Sequence, residues 1–340
     1  MVRHIKRREF VAIGGAAGIA GFAGCIGEDA VDEENGENGD DEENGDDEDL
    51  EDADPDGGEV ISWLAGGTGG TYYPLSGDFK SIVEEHTPHG LQVQSTGAST
   101  ENVGSLHREE AEFGLIQNDI AYFAYHGTGL EELEGEAMEN IRGVATLYPE
   151  TIHVITQADS GIETVEDLEG ATINTGDSGS GTQVNALQIL ESAGIDDFDE
   201  MNSDFDSAAD QIRDGDVDAA FVVGGWPVGS IEELATTDDI SLVEISGDIR
   251  DSAMDEAEWF AEDTIPEGTY EDVDEDVETI SVQAMIATHE AVDEGIVEEI
   301  TEAIFENTDG VTQKEEFIDV ESAQDGMPID LHPGAEAYFG

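Results

Sequence analysis

The stretch Val60-Ile61-Ser62-Trp63-Leu64-Ala65-Gly66-Gly67-Thr68-Gly69-Gly70-Thr71-Tyr72-Tyr73-Pro74 changes abruptly from apolar residues to glycine and threonine and ends at a proline. The apolar run predicts a buried β-strand. The glycines let the backbone approach a ligand closely, and Pro74 suits the first turn of a helix. This stretch therefore predicts a strand, a ligand-contacting loop and a helix in succession, the unit from which α/β folds are built.

The same alternation continues along the rest of the chain. Strands are predicted at 60–65, 91–96, 113–117, 141–146, 152–157, 171–174, 218–223, 241–245 and 279–288. Helices are predicted at 74–86, 99–109, 182–193, 206–214, 228–236 and 291–306. Such alternation favours an α/β fold with mainly parallel sheets flanked by helices. Since ligands of open α/β sheets bind beyond the carboxyl ends of the strands, the site residues are expected just after the strands.

Polar loops follow the other predicted strands as well. The second strand leads into Thr96-Gly97-Ala98-Ser99-Thr100-Glu101-Asn102, where Ser99 is expected to be a helix N-cap and Asn102 lies one turn inside. The third strand ends at Gln117. Two later strands run into Gly176-Asp177-Ser178-Gly179-Ser180-Gly181-Thr182 and Gly224-Gly225-Trp226-Pro227. Together these loops offer hydroxyls, amides, backbone N–H groups and aromatic rings to a ligand.

The loop that ends at Thr182 predicts an anion site. The N–H groups at a helix start, with the helix dipole behind them, attract negative charge without a charged side chain. The hydroxyls of Ser178, Ser180 and Thr182 add further hydrogen-bond donors. Ordinary helix capping is an alternative explanation for this loop and for the segment from Ser99 to Asn102, and both interpretations stay open here.

Other candidate residues also have two interpretations. One of Tyr72 and Tyr73 is expected to face the ligand and the other to pack in the core. Trp226, between a glycine and a proline at a strand end, is expected to form a wall of the ligand site, with core packing as the alternative. Arg142 either balances a ligand carboxylate or forms a salt bridge, and His153, in the middle of a strand, is expected to be a core residue.

The composition is extremely acidic. The chain of 340 residues has 85 Asp and Glu against 10 Lys and Arg. Nucleic acid is excluded as a partner because phosphate binding needs clustered Lys and Arg. Such a charge destabilises a compact fold in dilute salt, whereas molar salt shortens the Debye length to about 3 Å. A salt-saturated habitat is therefore expected, with stability that rises steeply between low and molar salt.

The N-terminus has the features of an export signal. Arg7-Arg8 precede an apolar run from Phe10 to Ile19, and Phe22-Ala23-Gly24-Cys25 follow. The pattern resembles a twin-arginine signal that ends in a lipobox, so 1–25 is interpreted as the signal, with Cys25 as the lipidation site. Lipid on Cys25 would hold the mature protein on the outer face of the cell membrane. The segment 26–58, rich in Asp, Glu, Gly and Asn, is predicted to be a disordered tether.

Enzyme, cofactor and metal motifs are incomplete in this sequence. The segment Gly176-Asp177-Ser178-Gly179-Ser180 suggests a serine protease but lacks the next glycine and the spacing of a nucleophile elbow. No lysine follows Gly181 as a phosphate-binding loop requires. The sequence shows neither a Cys/His zinc pattern nor EF-hand spacing. No enzymatic activity, no cofactor and no metal is therefore predicted.

Several of these segments together resemble the TAXI family, the extracytoplasmic solute receptors of tripartite ATP-independent periplasmic (TRAP) transporters. The resemblance covers 60–340 and lies in the order and spacing of the following segments: 68–74, 96–102, Gly114-Leu115-Ile116-Gln117-Asn118-Asp119, Asp159-Ser160-Gly161-Ile162, 179–182, 224–227 and Leu331-His332-Pro333-Gly334-Ala335. The chain departs from this family in its acidity, its long tether and Asn118, where relatives often carry serine.

The resemblance implies a type II periplasmic-binding-protein-like fold with two lobes that close over a solute. Lobe I is expected at 59–158 plus 278–340 and lobe II at 159–277, with hinges near 141–157 and 279–288. It also implies a monomer that binds a small carboxylate, such as a glutamate-like amino acid or a dicarboxylate, and delivers it to a membrane permease. The expected ligand-binding residues are Tyr72, Thr96, Ser99, Asn102, Gln117, Ser178, Ser180, Thr182 and Trp226.

Two other functions remain as alternatives at this point. A sensory binding protein would share the two-lobed shape and the same site. A serine hydrolase would use Ser178 and show turnover that depends on it.

Overall fold

The computed structural model describes residues 58–129, 135 and 137–340. The predicted export signal, Cys25 and nearly all of the predicted tether lie outside these residues. The strands are β1 Val60–Leu64, β2 Gly90–Gln94, β3 Phe113–Gln117, β4 Ile141–Gln157, β5 Thr172–Asn174, β6 Asp199–Met201, β7 Ala219–Gly224, β8 Ile240–Leu242, β9 Ala261–Ile265 and β10 Val277–His289. The α-helices are α1 Tyr72–His86, α2 Ser99–His107, α3 Asn118–His126, α4 Gly181–Ser192, α5 Phe205–Asp214, α6 Gly229–Thr237, α7 Gly247–Glu256, α8 Glu294–Glu306 and α9 Pro333–Phe339.

The strands form one mixed sheet in the order β2-β1-β3-β10-β4-β7-β5-β6, with β8 beside β4 and β9 beside β10. The outer pairs at both ends of this order are parallel. The central pairs that involve β4 and β10 are antiparallel. The predicted α/β class is confirmed, and the structure adds that β4 and β10 join the sheet regions of the two halves of the chain.

The two central strands are unusually long, because β4 has 17 residues and β10 has 13. One end of β10 pairs with β3 and with the start of β4, and its other end pairs with β9. The second half of β4 pairs with β7 and β8. The register between β4 and β10 shifts between Gln283 and Met285, opposite Pro149 and Thr146. Each strand therefore crosses from one half of the sheet to the other and is irregular where it does so.

The apolar cores lie on both sides of this crossing. The largest cluster surrounds Trp63, which stacks on Phe113 with ring centroids 5.5 Å apart, and it includes residues from β1, α1, α8 and the C-terminal segment. A second cluster packs α2 and α3 against the start of β4 and the end of β10. Two further clusters, around Phe221 and around Val222, cover opposite faces of β7. Successive side chains of a β-strand point to opposite faces of the sheet, so alternate residues of this buried strand pack into different cores.

Several elements did not follow from the sequence. The described structure adds α3, α7, α9, β6 and β9, and it merges the strands predicted at 141–146 and 152–157 into β4. Pro149 and Glu150 interrupt the apolar pattern of β4, which suggested two strands. In α7 only Ala253 is buried, so no apolar stripe marks this helix. β9 is largely exposed and carries acidic residues, so it lacks the apolar signal of a strand.

Candidate functional site

The loop after β1 lies against the second half of the chain. The Thr71 hydroxyl donates a 3.2 Å hydrogen bond to the Gly225 carbonyl, and the Ser230 N–H donates to the Gly69 carbonyl at 3.2 Å. A Cβ atom at Gly69 would collide with an Asp206 carboxylate oxygen. A side chain at position 69 would therefore displace the Asp206 carboxylate, and Thr71 connects the start of α1 with the end of β7.

The loop after β2 is held by the buried side chain of Asn102. Its amide donates to the carbonyls of Ala65 at 2.7 Å and Leu115 at 2.8 Å. Its oxygen accepts a 2.8 Å hydrogen bond from the Thr96 hydroxyl. Asn102 thus ties the ends of β1, β3 and this loop together. In the structure it has a positioning role and does not line the cavity described below.

The start of α2 differs from the prediction. The N-cap is Ala98, with φ at 67°, and Ser99 is the first helical residue, so the expectation of Ser99 as N-cap is wrong. The Ser99 hydroxyl instead accepts a 3.0 Å hydrogen bond from the Gln117 N–H. No side chain caps the first turn of α2. The N–H groups of this turn are consequently open to an external acceptor.

The loop before α4 caps its own helix. The Ser180 hydroxyl accepts from the Gln183 N–H at 3.1 Å. The Gly179 N–H donates to the Gln183 side-chain oxygen at 2.7 Å, and the Ser180 N–H donates to the Asp177 carbonyl at 3.0 Å. Only part of the predicted anion site at 179–182 is therefore open to a ligand, namely the N–H groups of Gly181 and Thr182.

These loops surround one cavity of about 300 Å³. Residues from both halves of the chain line it: Gly66, Gly67, Thr68, Gly69, Gly70, Thr71, Tyr72, Ser95, Thr96, Gly97, Ala98, Ser99, Gln117, Glu150, Asp177, Ser180, Gly181, Thr182, Asp204, Phe205, Asp206 and Val223. The structure brings together most of the predicted site residues here, namely Tyr72, Thr96, Ser99, Gln117, Ser180 and Thr182.

Three of the predicted residues, Asn102, Ser178 and Trp226, do not line this cavity. Ser178 is exposed on the loop before α4. Trp226 is half-buried and packs against the core cluster around Val222. The Lys314 ammonium lies 5.2 Å from the centroid of the Trp226 ring and donates to the Trp226 carbonyl. In the described structure Trp226 therefore contacts Lys314 and this core.

Sequence reasoning missed Glu150, as well as Asp204, Phe205 and Asp206 of the cavity lining. The Glu150 side chain lines the cavity, only 3% of the residue is exposed, and the Tyr148 hydroxyl donates to its carboxyl group at 3.2 Å. Burial raises the pKa of Glu150 to about 8, although the neighbouring polar groups of Gln117, Tyr72 and Tyr148 act in the opposite direction. The available signal was a single charged residue inside a long apolar stretch, since buried carboxyl groups are rare without a function or a partner.

A second buried carboxyl lies nearby, on the first turn of α3. The Asn185 amide donates to Asp119 at 2.8 Å, and the Ile120 N–H donates to it at the same distance. Burial raises the pKa of Asp119 to about 6 despite these bonds. Since Asn185 belongs to α4, this hydrogen bond links the first half of the chain to the second.

The sequence matches a known family over most of its length. The match covers residues 63–340. The chain belongs to the NMT1-like family. Two solved structures resemble this NMT1-like chain weakly. A TctC solute binding protein from Polaromonas is 16% identical, with 83% of this chain and 97% of that chain covered and a TM-score of 0.45.

The second structure is the periplasmic aliphatic sulphonate binding protein SsuA from Escherichia coli. It is 13% identical, the similarity covers 83% of this chain and 78% of that chain, and the TM-score is 0.45. At such scores neither protein indicates what this NMT1-like protein binds.

The remaining predicted residues of the NMT1-like chain have structural partners. Arg142 donates to Glu290 at 2.8 Å, away from the cavity lining. Buried His153 donates from Nδ1 to the Thr151 carbonyl at 3.0 Å and accepts at Nε2 from the Tyr270 hydroxyl at 2.9 Å. Burial lowers the pKa of His153 to about 4, so the ring is neutral at physiological pH. Both residues support the fold.

Within 58–129, 135 and 137–340, no group of three His, Cys, Asp or Glu residues is arranged to hold a metal ion. No helix in this part of the chain combines the length and the apolar character needed to cross a membrane.

Proposed function

We propose that this protein is the extracytoplasmic, lipid-anchored receptor of a TRAP transporter, which closes over a small carboxylate solute and delivers it to the permease. The observation that carries the proposal is the single cavity formed by strand-end loops from both halves of the chain. Its volume of about 300 Å³ suits an amino acid or a small dicarboxylate. Tyr72 and Phe205 supply aromatic walls.

The solute carboxylate is assigned to the helix starts that open on this cavity. The first residues of α1, α2 and α4 all line it, and neither α1 nor α2 has a side-chain cap. Uncapped N–H groups and the helix dipole bind an anion without a cation. A hydrogen bond to a charged oxygen contributes about 1.5–3 kcal/mol, so several of them with aromatic burial are compatible with micromolar binding, near −8 kcal/mol.

Lobe closure is the second part of the proposal. Residues 59–158 with 278–340 would form lobe I and residues 159–277 lobe II, with the hinge where β4 and β10 cross. The register shift near Gln283 supports this position. The hydrogen bonds between Thr71 and Gly225 and between Asp119 and Asn185 join the two proposed lobes. They would break on opening, so a solute that contacts both lobes favours the closed state.

Anchoring and transport rest on the sequence. Arg7-Arg8 and Cys25 support export and lipidation, and the TAXI resemblance supports the TRAP permease as the partner of a monomeric receptor. A hydrolase receives no support from the site, because Ser178 does not line the cavity and makes no hydrogen bond to a histidine among the described residues. Co-purification of the permease with the lipidated protein would distinguish a transport receptor from a sensor.

Binding is tested by a thermal-shift screen of amino acids and small carboxylates in molar salt, followed by calorimetry. At least one acid is expected to raise the melting temperature and to bind with no product formed. Gly181→Ala should weaken this binding about tenfold, or by about 1.4 kcal/mol, because its Cβ atom would displace the Gln117 side-chain amide from its place in the cavity lining. Gly77→Ala, which has open space around it, is the control. If no acid in the screen shifts the melting temperature, the proposed function is wrong.

A further inference from the structure

Glu150 occupies an unusual position for a carboxyl group. It lies on β4 next to the register shift between β4 and β10, where the chain passes from one half of the sheet to the other. Its one hydrogen bond of good geometry from a side chain comes from Tyr148, which is itself fully buried. The Tyr72 hydroxyl and the Gln117 side chain also lie close to it and lower its pKa. The two oxygens of an ionised carboxyl group offer about four acceptor positions, so Glu150 keeps the capacity to accept a further hydrogen bond. It is directed into the cavity that the proposed solute fills.

Two more buried polar atoms in this cavity lack a partner among the described residues. They are the Tyr72 hydroxyl and the side-chain oxygen of Gln117. Tyr72 is 6% exposed and Gln117 is 3% exposed. Buried polar atoms are nearly always hydrogen-bonded in folded proteins, so a buried atom without a partner needs an explanation. A ligand that donates to Gln117 and Glu150 and accepts from Tyr72 would satisfy these groups.

The charges around the cavity favour a ligand with a positive group. Its lining includes the carboxylates of Glu150, Asp177, Asp204 and Asp206 and, among the described residues, no Lys, Arg or His. Every Lys and Arg in the described part of the chain is bonded elsewhere: Lys80 to Glu84, Arg108 to Glu110, Arg142 to Glu290, Arg213 to Asp210, Arg250 to Glu262 and Glu278, and Lys314 to the Trp226 carbonyl. A second ligand carboxylate beside Glu150 would therefore have no cation to balance it.

We infer that Glu150, together with the Gln117 side-chain oxygen, binds a protonated amine of the solute and is the residue that makes this site select an α-amino acid over the corresponding dicarboxylate or monocarboxylate. This inference rests on the proposed function, since the helix starts of α1 and α2 hold the solute carboxylate. An ammonium group offers three donors, enough to reach both the Glu150 carboxylate and the Gln117 side-chain oxygen in the cavity lining.

The pH dependence of binding follows from the groups that face Glu150. Tyr148 on β4, Tyr72 on α1 and Gln117 at the end of β3 lower its pKa, and Asp119 on α3 raises it. Lys314, the nearby cation, packs with Tyr148 against Gly225. Burial dominates and brings the pKa of Glu150 to about 8 in the empty cavity.

An ammonium group stabilises the ionised carboxylate, so binding releases a proton wherever the empty site is protonated. The affinity for an amino acid therefore rises as the pH increases toward 8, by up to about tenfold per pH unit in the range where the empty site is protonated and the occupied site is ionised. A solute without an amine is expected to lack this dependence on Glu150.

The experiment is calorimetry in molar salt at pH 8 with matched pairs of probes that differ in the amine: L-glutamate with glutarate, L-aspartate with succinate, and L-alanine with propionate. In the pair that binds, the amino acid is expected to bind at least tenfold more tightly. Glu150→Gln should remove this preference and the rise of affinity with pH, whereas Glu85→Gln, an exposed acid on α1, should change neither.

The outcomes separate this inference from the proposed function. Equal affinities within a pair for the wild-type protein, or an unchanged preference in a folded Glu150→Gln protein, would overturn the role of Glu150 and leave a carboxylate receptor. No binding by any probe or any acid of the screen would overturn the receptor itself. The wild-type comparison needs no variant, and Tyr148→Phe, which removes the donor to Glu150, should reduce the preference if Glu150→Gln does not fold.

Discussion

The loops before α2 and before α4 have similar compositions, but their serine hydroxyls make different hydrogen bonds. Both are rich in Gly, Ser and Thr, both open a helix, and both line the cavity. Before α4, the Ser180 hydroxyl caps its own helix. Before α2, the N-cap is Ala98, no side chain caps the helix, and the Ser99 hydroxyl binds the backbone of Gln117.

This difference teaches how a helix start becomes available to a ligand. A hydroxyl at a helix start can cap its own helix, bind a neighbouring strand or contact a solute. Only capping occupies N–H groups of the helix that could otherwise bind a ligand. The α2 start therefore keeps more of its anion-binding capacity than the α4 start. Substitutions at the residues that create this contrast should have effects of very different size.

The largest expected effect is on the stability of the α2 side. Asn102→Ala removes the donor to two buried carbonyls, those of Ala65 and Leu115. A buried carbonyl left without a partner costs about 1–3 kcal/mol. The Ala65 carbonyl keeps the Thr96 hydroxyl as a donor at 3.1 Å, so the free energy of unfolding should fall by about 1–3 kcal/mol. Urea denaturation in molar salt measures this. A loss below about 1 kcal/mol, the lower end of the range for one carbonyl, would mean that the loop before α2 does not depend on this side chain.

The next effect concerns the contribution of α4 to binding. Replacement of Ser180 and Thr182 together by Ala should weaken the best ligand of the screen at least tenfold, or about 1.4 kcal/mol, because both residues line the cavity. Calorimetry at constant salt and pH measures this. Unchanged affinity would show that neither hydroxyl contacts the solute and would leave only the backbone N–H groups of α4 as a contribution from this helix.

A smaller effect isolates the cap of α4. Ser180→Ala should lower the free energy of unfolding by about 1 kcal/mol, the usual contribution of an N-cap serine, because the Gln183 N–H loses its acceptor. Ser178→Ala is the matched control, since Ser178 is exposed on the same loop, and its stability should equal that of the wild type. An equal loss in both variants would show that the loop, and not the cap, is being perturbed.

The smallest effect concerns Asp206 in the first turn of α5, which lies among several other acids. Burial, Asp204 and Glu233 raise the pKa of Asp206, so its ionised form is disfavoured in the folded protein. Asp206→Asn should therefore stabilise the protein at neutral pH by a few tenths of a kcal/mol, typical of exposed charge interactions. The gain should disappear as acid protonates the wild-type group, and it should shrink in molar salt. Urea denaturation at two pH values and two salt concentrations measures this, and a destabilised variant would show that Asp206 is held by favourable contacts.

Sequence patterns predicted the features that depend on residues close together in the chain, namely strands, loops and helix starts. The strand at the start of the folded part, its glycine loop and the helix starts at α1, α2 and α4 lie close to the predicted positions. Tyr72, Gln117 and Thr182, far apart in sequence, line one cavity. Their common location follows from the rule that ligands of α/β sheets bind beyond the strand ends, which needs only the order of strands and loops along the chain.

What the sequence could not provide depends on tertiary contacts. The Gln117 N–H donates to the Ser99 hydroxyl, and the Asn102 amide donates to carbonyls at the ends of two strands. These hydrogen bonds can be predicted only when it is known which strands are neighbours. Trp226 has the flanking residues of a ligand wall, yet Lys314, almost ninety positions later, lies over its ring. Glu150 was missed because its position inside a long apolar stretch is a weak signal in a chain with 85 Asp and Glu residues, and only the structure shows that it is buried.

The path of β4 and β10 has a consequence for engineering this molecule. Both strands contribute to both halves of the sheet, so neither half corresponds to an uninterrupted piece of the gene. A fragment that stops after β4 lacks the strand between β3 and β4. Chimeras that transplant the proposed solute preference should therefore exchange the internal segment between the crossings and retain the two flanking segments together, as an inserted domain is exchanged.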